Sequence, residues 1–459
     1  MGLIFGGIYM NIVIVGVGKL GKILTKHLLD EKHDITIIDK NASRIEEMVN
    51  ELDVVGYCGN GASYQTQLNA YVNKSDILIA TTPSDELNIL CCLVAKKLGV
   101  KQTIARVRNP EYEKQVSIMH DELGISMTIN PERDSATEIS RMLQFPGALK
   151  VETFAKGKVS LIEIKLEKGS PLHNRTLMSL REKYNTVLVC AVQRGNEVFI
   201  PKGDFVLQEN DNIYITAESK DITNLLKNLN ILTEKTKSTL IIGGGKISYY
   251  LAEKLIKAGI YVKIIETDYQ RCVELNDTLP KAMIIHADGT NNSVLLEEGI
   301  QNMDSLVTLT GMDEANIIIS TFAKSYCDKV VTKVNNSNYA PILEKIGLDS
   351  VFSPKEISSN NVIRYIRGVS SVSKGSEFKT LYRLVENKIE AIEFLISEEN
   401  EYTNIPIKDL KIKNNVLLSC IIRKDEIIIP QGKDVIMPYD TIIIVAANST
   451  ISDVANIFE

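Results

Sequence analysis

The chain of 459 residues is predicted to be α/β. The expected architecture is two Rossmann-like doubly wound parallel-sheet domains, each followed by a small α+β strand-rich domain. Three observations predict this. First, a glycine-rich turn, Gly16-Val17-Gly18-Lys19-Leu20-Gly21, precedes an acid, Asp39, that lies 23 residues beyond its first glycine. A second turn, Gly243-Gly244-Gly245-Lys246-Ile247-Ser248, precedes Glu266 at the same spacing, and both features are displaced by 227 residues. Second, apolar strand-like runs alternate with amphipathic helical patterns around both turns, which implies parallel sheets covered on both faces. Third, similarity continues past the turns. The segment Thr82-Pro83-Ser84-Asp85-Glu86-Leu87-Asn88 matches Thr310-Gly311-Met312-Asp313-Glu314-Ala315-Asn316 at a shift of 228, and Arg106-Val107-Arg108-Asn109 falls opposite Lys333-Val334-Asn335-Asn336. The unit that carries the glycine turn and its acid has therefore been duplicated. The expected domains are 10–131, 145–228, 237–355 and 373–459.

In the first large domain, strands are expected at 11–15, 34–39, 53–58, 76–82 and 103–107, with helices that include 19–29 and 86–98. The second large domain repeats the order, with strands at 239–242, 261–266, 282–286, 305–310 and 329–334. The small domain after the first is strand-rich, at 159–166, 187–193, 197–201 and 212–217, with a helix at 177–184. Gly195 and Asn196 supply a hairpin turn. The motif Pro201-Lys202-Gly203-Asp204 returns as Pro430-Gln431-Gly432-Lys433-Asp434, which marks the second small domain. The polar stretches 218–238 and 370–375 read as connections. Residues 1–9 are apolar without a basic start or a cleavage site. They read as a lead-in to the first strand, with Met10 as an alternative start.

Composition excludes several function classes. No apolar run approaches the ~20 residues that a membrane-spanning helix needs. A formal net charge of −6 disfavours the clustered Lys and Arg that grip a nucleic-acid backbone, so no nucleic acid is expected among the partners. The cysteines (Cys58, Cys91, Cys92, Cys190, Cys272, Cys327 and Cys420) are scattered with no CxxC pair. They read as reduced thiols of a cytoplasmic protein, without a metal set.

The glycine turns carry the chemistry. A turn from strand into helix gathers backbone N–H groups and the positive end of the helix dipole at one point, which attracts phosphate. Gly16 permits the tight turn, Gly18 admits a pyrophosphate close to the backbone, and Gly21 lets helix and strand approach. Asp39 can accept hydrogen bonds from ribose hydroxyls, and its charge favours NAD(H) over a 2′-phosphorylated cofactor. At the second turn Ser248 replaces the third glycine and is expected to push the helix off the strand, while Glu266 is one methylene longer than Asp39. Arg106 ends a strand on the ligand edge of the sheet, and either a phosphate or a domain-interface carboxylate could pair with it. Lys333 keeps its charge without the bidentate fork. Thr82 and Thr310 end their strands, where a hydroxyl could reach a cofactor or cap the next helix. The acids Asp85, Glu86, Asp313 and Glu314 read as partners of helix dipoles.

Catalytic machinery is not evident. The histidines are His27, His33, His120, His173 and His286. Only His286 falls beside a predicted crevice, and the aligned residue in the other copy is Cys58. There is no HExxH, no GxSxG and no complete P-loop. An NAD-dependent oxidoreductase with a duplicated cofactor domain is the alternative reading, weakened by the missing acid/base.

The two fingerprints with Asp39 and Glu266, the Thr-x-x-Asp-Glu-x-Asn segments, Ile104-Ala105-Arg106-Val107-Arg108 and the Pro-x-Gly echoes resemble the TrkA family. That family provides the cytosolic regulatory subunits of bacterial Trk potassium uptake systems. The resemblance covers the chain from Asn11 onward, in the order RCK N, RCK C, RCK N, RCK C. It implies that one site is formed by Gly16, Val17, Gly18, Lys19, Leu20, Asp39, Thr82, Pro83 and Arg106. The other would use Gly243, Gly244, Gly245, Lys246, Ile247, Glu266 and Thr310. Pro83 and Ser248 depart from the pattern. It further implies NAD(H) as ligand, with ATP or ADP the alternative at one of the two sites. A homotetrameric ring on the cytoplasmic face of the membrane is expected, with a TrkH-like potassium transporter subunit as partner. A cyclic dinucleotide in a groove between small domains is a further option that the residues do not select over plain packing.

Overall fold

The computed structural model describes residues 9–144, 147–229, 236–370, 376–385, 388–424, 426–448, 451 and 453–459. The expectations for 1–8, for the boundaries at 145 and 373, and for the connection at 371–375 lie outside the described residues. The chain forms two compact units, residues 1–135 with 353–365, and residues 136–352 with 366–459.

The first unit is built on a six-stranded parallel sheet. Its strands are β1 (Asn11–Val15), β2 (Asp34–Asp39), β3 (Val55–Cys58), β4 (Ile77–Ala80), β5 (Gln102–Arg106) and β6 (Met127–Ile129), in the order β3-β2-β1-β4-β5-β6. The intervening helices are α1 (Lys19–Asp30), α2 (Ala42–Glu51), α3 (Tyr64–Asn69), α4 (Asp85–Lys97), α5 (Pro110–Ile118) and α6 (His120–Leu123). Helix α1 forms because Leu20, Leu24 and Leu28 recur at helical spacing and are buried against the sheet. The strands read as continuous apolar runs because both faces are covered: β4 is buried at every position. The order reverses between β1 and β4. Open α/β sheets bind ligands beyond the strand ends at such a point.

Helix α7 (Pro131–Gln144) begins in the first unit and ends in the second. There it is followed by an antiparallel sheet of β7 (Lys150–Phe154), β8 (Val159–Lys165), β9 (Leu188–Arg194), β10 (Glu197–Phe199) and β11 (Asn212–Glu218), with helices α8 (Leu177–Lys183) and α9 (Ser219–Asn228). The second parallel sheet repeats the first order with β12 (Ser238–Ile242), β13 (Tyr261–Glu266), β14 (Met283–His286), β15 (Ser305–Thr308), β16 (Lys329–Lys333) and β17 (Val351–Phe352). Its helices are α10 (Lys246–Lys257), α11 (Tyr269–Thr278), α12 (Asn292–Glu297), α13 (Asp313–Ala323) and α14 (Ala340–Lys345), and α15 (Pro354–Ser370) follows it. The last sheet comprises β18 (Ser376–Leu384), β19 (Ile389–Ile396), β20 (Val416–Arg423), β21 (Glu426–Ile428) and β22 (Thr441–Ala447).

The two antiparallel sheets share one apolar core, where Phe154, Leu161 and Tyr214 meet Tyr382, Ile389 and Ile443. The Pro-x-Gly echoes end in one repeated device. The Arg194 guanidinium makes two 2.8 Å hydrogen bonds to buried Asp211, and Arg423 does the same to Asp440 at 2.9 and 2.7 Å. A bidentate pair of this kind fixes geometry as well as neutralising a buried acid.

Several elements depart from the sequence reading. The supposed connection at 218–238 contains α9, because Ile222, Leu225, Leu226 and Leu229 form a helical stripe that is buried in the first small core. Strands β6 and β17 were not expected, since two or three residues carry no periodicity. Helices α7 and α15 occupy the segments between the expected large and small domains.

Candidate functional site

The first crevice opens beyond β1, β2, β4 and β5. Gly16 sits at φ +91° and its N–H donates to Ile38 O at 2.8 Å. A Cβ there would stand 2.8 Å from the Thr82 nitrogen, so glycine is required both by the turn and by the neighbouring strand end. Gly18 caps α1 with no side-chain capping bond, and a Cβ built on it meets nothing within 4 Å. The helix N-terminus thus carries no capping side chain, and its first amides have no acceptor within the helix, an arrangement that suits an anion. Gly21 is the close-packing position, because a Cβ there would lie 2.2 Å from Gly16 O. Lys19 is exposed and Leu20 buried at the start of α1.

Asp39 ends β2 and is almost fully buried. One carboxylate oxygen accepts from the Val17 N–H at 2.9 Å and the other from Asn41 N–H at 2.9 Å. The acid is thus held against the glycine turn, where ribose hydroxyls of a dinucleotide would meet it. At the end of β4, Thr82 is buried and its hydroxyl donates to Asn88 Oδ1 at 2.7 Å. Asn88 in turn donates to Thr82 O and Arg106 O, tying the ends of β4 and β5 together. Ser84, not Thr82, caps α4. Pro83 is exposed, and its carbonyl accepts from Arg108. The Arg106 Nε is buried without a hydrogen-bond partner. Burial and the charge of Arg108 hold its guanidinium below the ordinary value. A cation in that state is stabilised by an incoming anion.

The second crevice repeats the frame with different contacts. Gly243 has φ +98°, and Gly245 leaves the same open helix end as Gly18. Glu266 accepts from Gly244 N–H at 2.5 Å, Asp268 N–H at 2.8 Å and the Thr267 hydroxyl at 3.1 Å. Desolvation raises its pKa, yet these bonds outweigh burial and bring it below the usual carboxylate value. Thr310 bonds Asn316 as Thr82 bonds Asn88, and Asn316 donates to Lys333 O. The Lys333 ammonium donates to Thr310 O at 2.6 Å, unlike the unpartnered Nε of Arg106. Lys246 is exposed and Ile247 buried at the start of α10.

Ser248 is better explained by the structure than by its departure from glycine. It is fully buried and its hydroxyl donates to Gly243 O. In the first crevice the equivalent carbonyl, Gly16 O, accepts instead from the Thr81 hydroxyl at 2.8 Å, and the position matching Thr81 in the second half is Leu309. The hydroxyl has moved from the strand end to the helix. A Cβ on Gly21 would lie 2.2 Å from Gly16 O, so α1 could not carry a serine at that position without shifting.

Two cations escaped the sequence reading. Arg271 Nε donates to Gly244 O at 2.7 Å, and Arg44 lies 3.9 Å from Asp39. They are displaced by the same 227 residues as the acids, and that spacing was the signal available. The acids read as dipole partners do more: Asp85 accepts from the Arg108 and Asn109 amides, and Asp313 from those of Asn335 and Asn336. They clamp the loop after the fifth strand. His27 contacts Ser359 and Glu356, and the His33 ring accepts from Met10 N–H. His286 lies 3.0 Å from Thr267 O.

Two doubly wound parallel-sheet domains in one chain, each followed by a small antiparallel α+β domain, define a tandem-repeat protein with a glycine-turn crevice in each half. Models of the TrkA-N domain match residues 12–131 and 239–354, and models of the TrkA-C domain match 161–230 and 391–459. The chain belongs to the TrkA family. It is 32% identical over 450 residues to a Trk system potassium uptake protein TrkA homolog of Archaeoglobus fulgidus, covering 98% of this chain and 100% of that one. It is also 32% identical to the Trk system potassium uptake protein TrkA of Halomonas elongata, covering 98% and 99%. Among solved structures, the GsuK RCK domain superposes with a TM-score of 0.63 at 15% identity, over 96% of this chain and 93% of that one. The GsuK channel bound to NAD gives 0.63 at 16%, over 96% and 77%. Among the described residues no helix is long and apolar enough to cross a membrane.

Proposed function

We propose that this chain is a nucleotide-sensing regulatory subunit of a potassium uptake system. It would act at the cytoplasmic face of the membrane, as a homotetrameric ring on a TrkH-like transporter subunit. The observation that carries the reading is the pair of open glycine-turn helix ends, each held beside its acid, in a chain whose relatives are named as potassium uptake proteins. The crevices suit a dinucleotide such as NAD(H): open amides at Gly18 and Gly245 receive phosphate, and Asp39 and Glu266 receive ribose hydroxyls. The GsuK channel, alike in fold, was solved with NAD, which makes NAD(H) the first ligand to test. The half-buried Arg106, with its Nε buried and unpartnered, suits a further phosphate, so ATP or ADP are the alternatives at that site.

Regulation requires the protein to hold two shapes with different nucleotide affinity, because equal affinity shifts nothing. Asp39 and Glu266 are placed for that coupling. Each bonds an amide of its own glycine turn, and a ribose competing for the carboxylate alters the turn at the head of its helix. The test is potassium flux through the membrane subunit in vesicles, with this chain bound. Flux should differ among NADH, NAD, ATP and ADP only when the chain is present. Flux indifferent to all four would overturn the reading. Substrate-dependent change in NADH absorbance would support the oxidoreductase alternative instead.

A further inference from the structure

We propose that the second crevice recognises the aromatic base of its nucleotide through a side-chain wall, Tyr269 and His286, which the first crevice lacks. The inference rests on the nucleotide reading above and adds which part of the ligand distinguishes the two sites.

Strands β13 and β14 are in register, with Glu266 directly opposite His286. Glu266 Oε1 accepts from the Asp268 amide and the Thr267 hydroxyl, and the Thr267 carbonyl lies 3.0 Å from His286 Nε2. A carbonyl only accepts, so the imidazole donates from Nε2 and its ring orientation is fixed. Tyr269 opens α11 immediately after its cap, Asp268. Its ring lies edge-to-face with His286, centroids 5.5 Å apart at 67°, yet Tyr269 is 61% exposed. An aromatic ring is therefore held beside the ribose-binding acid with most of its surface free.

In the first crevice the same frame carries no ring. Asp39 stands opposite Cys58 in register, and the first residue of α2 is Ala42. An acid that binds a ribose places the attached base within reach of the next helix start and the neighbouring strand end. Those are the two positions that differ. Stacking on an aromatic tolerates any base because each presents a π-face, so the wall rewards a base-bearing ligand over a bare sugar phosphate.

The test uses the full chain carrying Asp39→Ala, which weakens the first crevice so that the second dominates the binding measured. Binding of ADP is measured by calorimetry, and binding of base-free ribose 5-phosphate by ligand-observed NMR. Tyr269→Ala should weaken ADP about ten-fold, the scale of one lost base stack. Tyr269→Phe should restore it, and ribose 5-phosphate should bind all three proteins alike. Unchanged ADP affinity in Tyr269→Ala, or an equal loss for ribose 5-phosphate, would overturn the inference while leaving the crevice a nucleotide site. Failure of the Asp39→Ala parent to bind either probe would overturn the nucleotide reading of the second crevice, and the inference with it.

Discussion

Asp39 shows how much one side chain does before any ligand arrives: it fixes Val17 and Asn41 and keeps the glycine turn shaped. Asp39→Ala should weaken nucleotide binding at the first crevice by about 10- to 100-fold, the loss of charged hydrogen bonds worth roughly 1.5–3 kcal/mol. Calorimetry on the full chain checks this, and an unchanged Kd refutes the assignment. Lys329, at the start of β16, makes a different prediction. Its ammonium is buried, donates to Ala148 O at 2.5 Å, and has its pKa pushed down to about 8 by burial, with Asp349 opposing. An unfolded lysine holds its proton to about 10.4, so between about pH 8 and 10.4 the unfolded chain binds more protons. Stability contributed by this group therefore rises with pH across that window, by roughly 1–3 kcal/mol. The first half carries neutral Gln102 at the matching strand start. The urea midpoint of the parent should accordingly gain on that of Lys329→Gln between pH 7.5 and pH 9.5. A constant difference would show that the amine does not titrate there.

At the scale of elements, the turn and its helix are locked through one carbonyl, by Thr81 in the first half and by Ser248 in the second. Thr81→Val and Ser248→Gly should each cost about 1 kcal/mol, as a buried carbonyl loses its donor. Restoring the first-half solution in the second, with Leu309→Thr added to Ser248→Gly, should recover part of that loss. Chemical denaturation of the parent, Ser248→Gly, Leu309→Thr and the double variant measures the coupling, and strict additivity would refute it. Gly21→Ala should be worse than either, because its Cβ has no room beside Gly16 O. The glycine turns were legible in the sequence because their constraint is local: fixed spacing, a strand before, a helix after. The exchange of hydroxyl between strand and helix was not, since it joins residues more than 60 positions apart in one half. Arg44 and Arg271 were hidden for another reason. A charged residue on an exposed helix start carries no pattern of its own, and only the repeat distance marks it. Helix α9 was missed because its polar face dominated a short segment, although Ile222, Leu225 and Leu226 supplied the stripe.

At the scale of the whole molecule, duplication has preserved a frame and let its contents diverge. Both parallel sheets have the same strand order, both helix ends are open, and both acids are held by their turns. The contents differ at Arg106 and Lys333, Gly21 and Ser248, Ala42 and Tyr269, and Cys58 and His286. This fold was readable because the repeat let each half check the other: a motif seen twice at one spacing excludes chance better than any single fingerprint. Two inequivalent nucleotide sites per chain are therefore expected. Equilibrium titration of the full chain with NADH, NAD, ATP and ADP tests this most directly. Saturable binding with two equivalents per chain is expected, one weakened in Asp39→Ala and the other in Glu266→Ala. Absence of saturable binding by the folded protein, or binding indifferent to both substitutions, would contradict it.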